Sequence, residues 1–224
     1  MGAFFKSLSN SYYALTLAIF FLVMCRPLEM LPFVGPAVMS IAFSVVLFLG
    51  MLRFLNFKSS RYILAGLIVV TTVLRFGQSY FSGTAFVTTK LLIDIGLIFY
   101  FLWLVMRDLF NAEEADKDTV FGGVVAYLLM GIGFAVVYGL IEFLEPGSFT
   151  IAGEVLRDSD NAMGDLLYYS FVTITTLGYG DALPVTDTAR SITSIEAVAG
   201  QMLIAIIIAR IVSLQTASYL AKKD

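Results

Sequence analysis

Thr173-Ile174-Thr175-Thr176-Leu177-Gly178-Tyr179-Gly180-Asp181 is the stretch on which the fold turns. Alone, Gly-Tyr-Gly reads as a turn, because glycine supplies backbone conformations that other residues avoid. The context changes that reading. Residues 162–175 look helical and apolar, yet at about 13 residues they are too short to cross a bilayer, which takes about 20. Farther out, long apolar stretches lie on either side, 120–143 and 189–214. The second is about 39 Å long at 1.5 Å per residue. Residues 144–188, between them, are too polar to span and too long for a turn, opening on Glu145-Pro146-Gly147. A short helix that enters the membrane and returns as an irregular strand fits this pattern. Such backbone is tolerated at depth only where it is buried in protein or lines water.

The rest of the chain has the same solvent preference. Of 224 residues, 59% are hydrophobic and 14% charged, against about 45–50% and 25% in soluble domains. The sequence has no histidine and one cysteine. That excludes a Cys/His zinc site, a histidine-based catalytic triad, an internal disulfide and a histidine pH switch. A net charge of −3 gives no footprint for nucleic acid. No internal repeat pairs two halves, as many transporters show. Neither an enzyme nor a transporter is expected, and no cofactor.

Four further spans are read at 12–25 (extending at most past Pro27), 36–55, 62–80 with Arg75 inside, and 84–106 with Lys90 and Asp94 inside. Lys6 before the first apolar run resembles a signal peptide. Val23-Met24-Cys25-Arg26 lacks a small-x-small cleavage site, so an uncleaved span is expected. Basic residues orient the set. With the N-terminus inside, Lys6, Arg53, Lys58, Arg61, Arg107, Lys117, Arg210, Lys222 and Lys223 are cytoplasmic, nine of the fourteen. The expectation is an all-α membrane protein with six transmembrane helices and a re-entrant helix, both termini cytoplasmic. Residues 1–110 form a four-span domain, 111–119 a cytoplasmic linker, 120–216 the domain around the quoted stretch and 217–224 a short tail.

Thr-Leu-Gly-Tyr-Gly-Asp at 176–181, flanked by Thr173 and Thr175, resembles the selectivity filter of the potassium channel family, where valine is usual at the second position. The resemblance covers about 120–214. It implies a potassium-selective channel made by four copies of the chain, with potassium ions as the permeant ligand. Main-chain carbonyls of Thr176, Leu177, Gly178 and Tyr179, with Gly180 completing the filter, would replace the water around the ion. Gly178 and Gly180 would let the backbone alternate in handedness so that the carbonyls face one axis. Leu for Val at 177 falls on the side away from the ion and touches packing more than selectivity. A weakly selective cation channel on the same scaffold is the alternative, and would call for changes at Tyr179 or Gly180.

Other residues take places around this strand. Thr173, Thr175, Tyr168, Asp181 and Glu196 are read as filter supports, with a Tyr168–Asp181 hydrogen bond expected; an ordinary interface pair, Tyr168 with Tyr169, is the bland reading. Asp160 or Asn161 is the expected N-cap of the short helix. Val172 stands where some family members carry a buried acid beside Asp181. Glu196, ionisable within a span, either braces the short helix, through Thr173, or lines the cavity as a negative ring. Gly200 is either a gating hinge or a site of close helix packing. Leu203, Ile204, Ile207 and Ile208 are bulky enough for an apolar constriction. Arg210 is read as an intersubunit or lipid-headgroup anchor.

Six spans with the pore last is the layout of voltage-gated channels. A sensor needs several arginines on the fourth span, each worth about 2.3 kcal/mol per 100 mV. This fourth span has Lys90 and Asp94, four apart, a pairing distance on a helix. No strong voltage dependence is expected. The loop 111–119 lacks the residue order of a calcium loop. The residues after the last span are expected to hold no gating domain. Between Glu142 and Asp187 lie eight acids and one base, Arg157, a field that concentrates cations at an outer mouth. The expected setting is a plasma membrane, as in a bacterial inner membrane, with lipids and further copies of the chain as partners.

Overall fold

The computed structural model describes residues 11–24, 45–46, 48–50, 52–53, 58–77, 83–156 and 162–221. In chain order the elements are α1 (Tyr12–Met24), α2 (Lys58–Gly77), α3 (Thr84–Asn111), α4 (Lys117–Leu144), β1 (Phe149–Ile151), β2 (Glu154–Val155), α5 (Ala162–Ile174), β3 (Ala182–Pro184) and α6 (Asp187–Ala221). Among the described residues, three helices are long and apolar enough to cross a membrane: α3, α4 and α6. The chain is a mostly helical membrane protein. Most of the expected second span, Cys25, Pro27, and the proposed cap at Asp160 or Asn161 lie outside the described residues. So do Lys6, Arg157, Lys222 and Lys223, and the side chain of Arg75.

α4 is the central element. Its largely apolar sequence packs against α1, α3, α5 and α6. Two-thirds of its most apolar window is buried, against 17% for that of α6. A main core joins α1, α3 and α4 through Leu15, Ile19, Leu97, Phe101, Val105, Val125 and Leu129. A second core lies where α4, α5, the sheet and the start of α6 meet, around Tyr138, Phe149 and Tyr169. Their rings sit 5.1–5.3 Å apart, centroid to centroid, in tilted arrangements favoured by the ring quadrupole.

The connection between α3 and α4 is shorter than the linker read from sequence. α3 continues to Asn111 and α4 starts at Lys117, because Asp116 caps α4. Its carboxylate accepts from the Thr119 backbone N–H at 2.8 Å and from Thr119 Oγ1 at 2.7 Å. Those bonds, the backbone one foremost, hold the Asp116 carboxyl below its usual range. At this end, Arg53 pairs with Asp108 at 2.8 Å and Asp118 at 3.3 Å. Tyr12 donates from its hydroxyl to Asp108 at 2.7 Å and from its backbone N–H to Asp118 at 2.6 Å. These bonds tie α1 and Arg53 to the facing ends of α3 and α4.

The opposite end carries a three-stranded antiparallel sheet, order β2-β1-β3, that the sequence reading did not anticipate. A two-residue turn, Ala152 (φ 50°) and Gly153 (φ 84°), joins β1 to β2. Hairpins of this kind favour Asn-Gly or Asp-Gly, so Ala-Gly sent no signal. α6 runs on to Ala221, past the span read at 189–214, as Thr216 to Ala221 include no glycine or proline to stop it.

Candidate functional site

α5 ends at Ile174, and the chain turns into an irregular strand, 175–181, that leads to β3. The turn is built from backbone bonds: Thr176 N–H to the Thr173 carbonyl at 2.9 Å, and Leu177 N–H to that of Val172 at 3.0 Å. Beyond it the backbone alternates. Thr176 (φ 59°), Gly178 (φ 54°) and Gly180 (φ 77°) have positive φ, and Leu177 and Tyr179 between them do not. Glycine takes such angles freely, but for a β-branched residue such as Thr176 they are a genuine outlier. Positions of this kind cost on the order of 1–3 kcal/mol and cluster at functional sites. The sequence pointed to the two glycines; threonine gave no hint of a third left-handed position.

The strand is held at both ends and bare along its length. All of 175–181 is exposed in the single chain, with Leu177 at 53% and Tyr179 at 67%. At its far end the Ala152 N–H donates to the Asp181 carbonyl at 2.6 Å. β3 then pairs with β1, Ala182 opposite Ile151. The Tyr168 hydroxyl donates to Asp181 Oδ2 at 2.7 Å, the bond expected from the sequence. Glu142, counted above among the eight acids, is engaged. Its carboxylate accepts from the Gly147 and Phe149 N–H groups at 2.7 and 3.0 Å, which seats the sheet on the end of α4. At the near end, Tyr127 of α4 donates to the Ile174 carbonyl at 3.0 Å. That satisfies one of the carbonyls left open at the end of α5.

Behind the strand lies a buried polar cluster. Glu196, Ser170 and Tyr138 are each 0% exposed. The Tyr138 hydroxyl donates to Glu196 Oε2, and Ser170 Oγ is hydrogen-bonded to Glu196 Oε1. Ser170 Oγ also meets the Gly131 carbonyl at 2.7 Å. Glu196 therefore bonds Ser170, not Thr173 as expected. Ser170 lies on the buried face of α5, whereas Thr173 is only partly buried. Its burial also places Glu196 away from any cavity-lining ring. The rule that polar groups inside apolar helices are functional singled out Glu196; applied to Ser170 and Tyr138, it finds the cluster.

α6 approaches α5 at Gly200. A Cβ there would lie 2.4 Å from Ile174 Cγ1, a distance that forces movement in a buried side chain. This favours close packing as the reason for the glycine. Two of the four proposed constriction residues point elsewhere: Leu203 is buried, and Ile207 packs onto Gly123 of α4. Arg210, read above as an intersubunit or headgroup anchor, is bonded within the chain. Its guanidinium donates to the carbonyls of Phe110 at 2.7 Å and Ala112 at 2.8 Å, closing the end of α3. Among the described residues no group of acids, cysteines or histidines could hold a metal ion.

A family model described as ion channel matches residues 134–216, from mid-α4 through the strand to α6. Protein LctB of Bacillus caldotenax is 32% identical over 112 residues, 50% of this chain and 81% of that protein. The chain belongs to this ion-channel family. No solved structure matches it significantly. The family match makes the exposed strand, the sheet and the buried cluster parts of an ion channel. It spans the segment that carries every residue read above as filter or support.

Proposed function

We propose that the chain is a potassium-selective channel in which four copies surround one axis and each contributes 175–181 to the filter. The alternation of backbone handedness at Thr176, Gly178 and Gly180 carries this reading. Alternation of this kind turns successive carbonyls to one side, as replacement of an ion's hydration shell requires. The carbonyls of Thr176, Leu177, Gly178 and Tyr179 are the ion ligands, with Gly180 closing the row and Thr173, Thr175, Tyr168, Asp181 and Glu196 in support. The exposure of Leu177 and Tyr179, at 53% and 67%, supports assembly, since large apolar side chains on a strained strand call for neighbours. α5 runs towards the strand, and the negative end of its dipole favours a cation there.

In this reading the chain crosses a bacterial plasma membrane six times with both ends inside. Conduction is passive and lacks strong voltage dependence. The test is purified protein in liposomes, with potassium and sodium flux measured under an imposed gradient. Potassium flux blocked by barium and far above sodium flux is expected. Equal flux of both ions would overturn the selectivity.

A further inference from the structure

The buried cluster behind the filter contains more contacts than hydrogens. Five hydrogen bonds join its side chains: Tyr138 to Glu196, Ser170 to Glu196, Ser170 to the Gly131 carbonyl, Tyr169 to Thr193, and Thr193 to the Ala189 carbonyl. The last two account for the hydroxyl hydrogens of Tyr169 and Thr193. The other three contacts have only the hydroxyl hydrogens of Tyr138 and Ser170 to share. A carbonyl can only accept, so the bond to Gly131 takes the Ser170 hydrogen. The Tyr138 hydrogen goes to Glu196 Oε2. The contact between Ser170 Oγ and Glu196 Oε1 is then one hydrogen short, and only Glu196 can supply it.

We propose that Glu196 is held as a neutral carboxylic acid whose hydroxyl donates to Ser170, pinning the helix that carries the filter to both α4 and α6. Each member then has a partner for every hydrogen: Tyr138 to Glu196, Glu196 to Ser170, Ser170 to Gly131. The surroundings agree. Glu196 is 0% exposed, and the titratable groups facing it are tyrosines, Tyr127 and Tyr138 from α4 and Tyr169 from α5. Among the described residues no lysine or arginine pairs with it, and an ionised carboxylate in such a place carries a heavy desolvation cost.

The consequence is a joint between pore elements. Ser170 sits on α5, six positions before Thr176. Glu196 sits on α6, four before Gly200. A shift of α6 therefore pulls on the helix that ends in the filter. Glu196 is a positioning residue, acting on the ion ligands through Ser170. The proton assignment rests on the contacts alone; the effect on ions rests on the channel reading.

The test is infrared difference spectroscopy of the full-length protein in lipid, wild type against Glu196→Gln, with flux measured on the same samples. The wild type should show the carbonyl stretch of a protonated carboxylic acid, absent from Glu196→Gln. Glutamine can donate to Ser170 and accept from Tyr138, so the variant should retain wild-type potassium-over-sodium flux. Glu196→Ala removes both of its bonds and should lower that ratio by about tenfold or more, tenfold being the size of one lost buried hydrogen bond. Ser170→Ala removes the acceptor and should shift the acid band to higher frequency. A difference spectrum showing the loss of an ionised carboxylate overturns the proposal, as does an acid band unmoved in Ser170→Ala. An acid band in protein that passes no potassium leaves the proton assignment standing and overturns the channel reading.

Discussion

At the residue scale the account rests on three backbone angles and the side chains that brace them. An alanine at position 178 would hold an L-residue at φ 54°, which costs about 1–2 kcal/mol per chain. Gly178→Ala is therefore expected to abolish potassium flux with helical content by circular dichroism unchanged. Undiminished flux would remove 178 from the filter. Tyr168→Phe deletes the 2.7 Å bond to Asp181. A hydrogen bond to a charged group is worth about 1.5–3 kcal/mol, so a lower midpoint of thermal unfolding is expected in potassium-containing buffer. At this scale the sequence was most readable where chemistry forces a residue type, as at Gly178 and Gly180. It was mute at Thr176, where a residue that dislikes the angle is held in it. It was mute also at Ser170, whose small hydroxyl gains meaning only from what packs beside it.

At the element scale, closeness of helices explains more than their boundaries. If Gly200 serves packing, Gly200→Ala is destabilising because its methyl meets Ile174 at 2.4 Å. Overpacking of this kind costs about 1–3 kcal/mol. The clash is with Cγ1 of Ile174, which Ile174→Ala removes, so Gly200→Ala should cost clearly less in an Ile174→Ala background than in the wild type. An equal cost in both backgrounds would point back to a hinge. At the start of α4, Asp116→Ala should cost about 0.5–2 kcal/mol, as loss of an N-cap does. The carboxyl of Asp116 is held low by Thr119, so its contribution is present above its unfolded value and lost as pH falls through the folded one. Melting curves across the acid range should show a smaller drop for Asp116→Ala than for wild type. The long helices were legible because an apolar run long enough to span has few other fates. The sheet was not, since strands of two or three residues are too short to show alternation. The partners of Arg210 were not legible because they are main-chain carbonyls a hundred positions earlier, which no sequence pattern marks.

At the scale of the whole molecule, α6 is the least covered of the three long apolar helices, and 175–181 is exposed throughout. Only 17% of the most apolar window of α6 is buried, against 67% for α4. Lipid can cover an apolar helix, but it cannot satisfy a bare strand of carbonyls. The proposed four-fold assembly would do both, placing the strands around an axis and the helices against neighbours. In that assembly the net acidity of 142–187, seven charges per copy, would gather around one entrance and raise the local cation concentration there. The absence of histidine and the near absence of cysteine excluded much chemistry at the outset. The working groups of the proposed channel, main-chain carbonyls and the buried Glu196, need neither residue type. The most direct test is the reversal potential of the reconstituted channel as sodium replaces potassium on one side. The account predicts a potential that follows the potassium gradient and ignores sodium. A potential that tracks the sum of the two ions would contradict it.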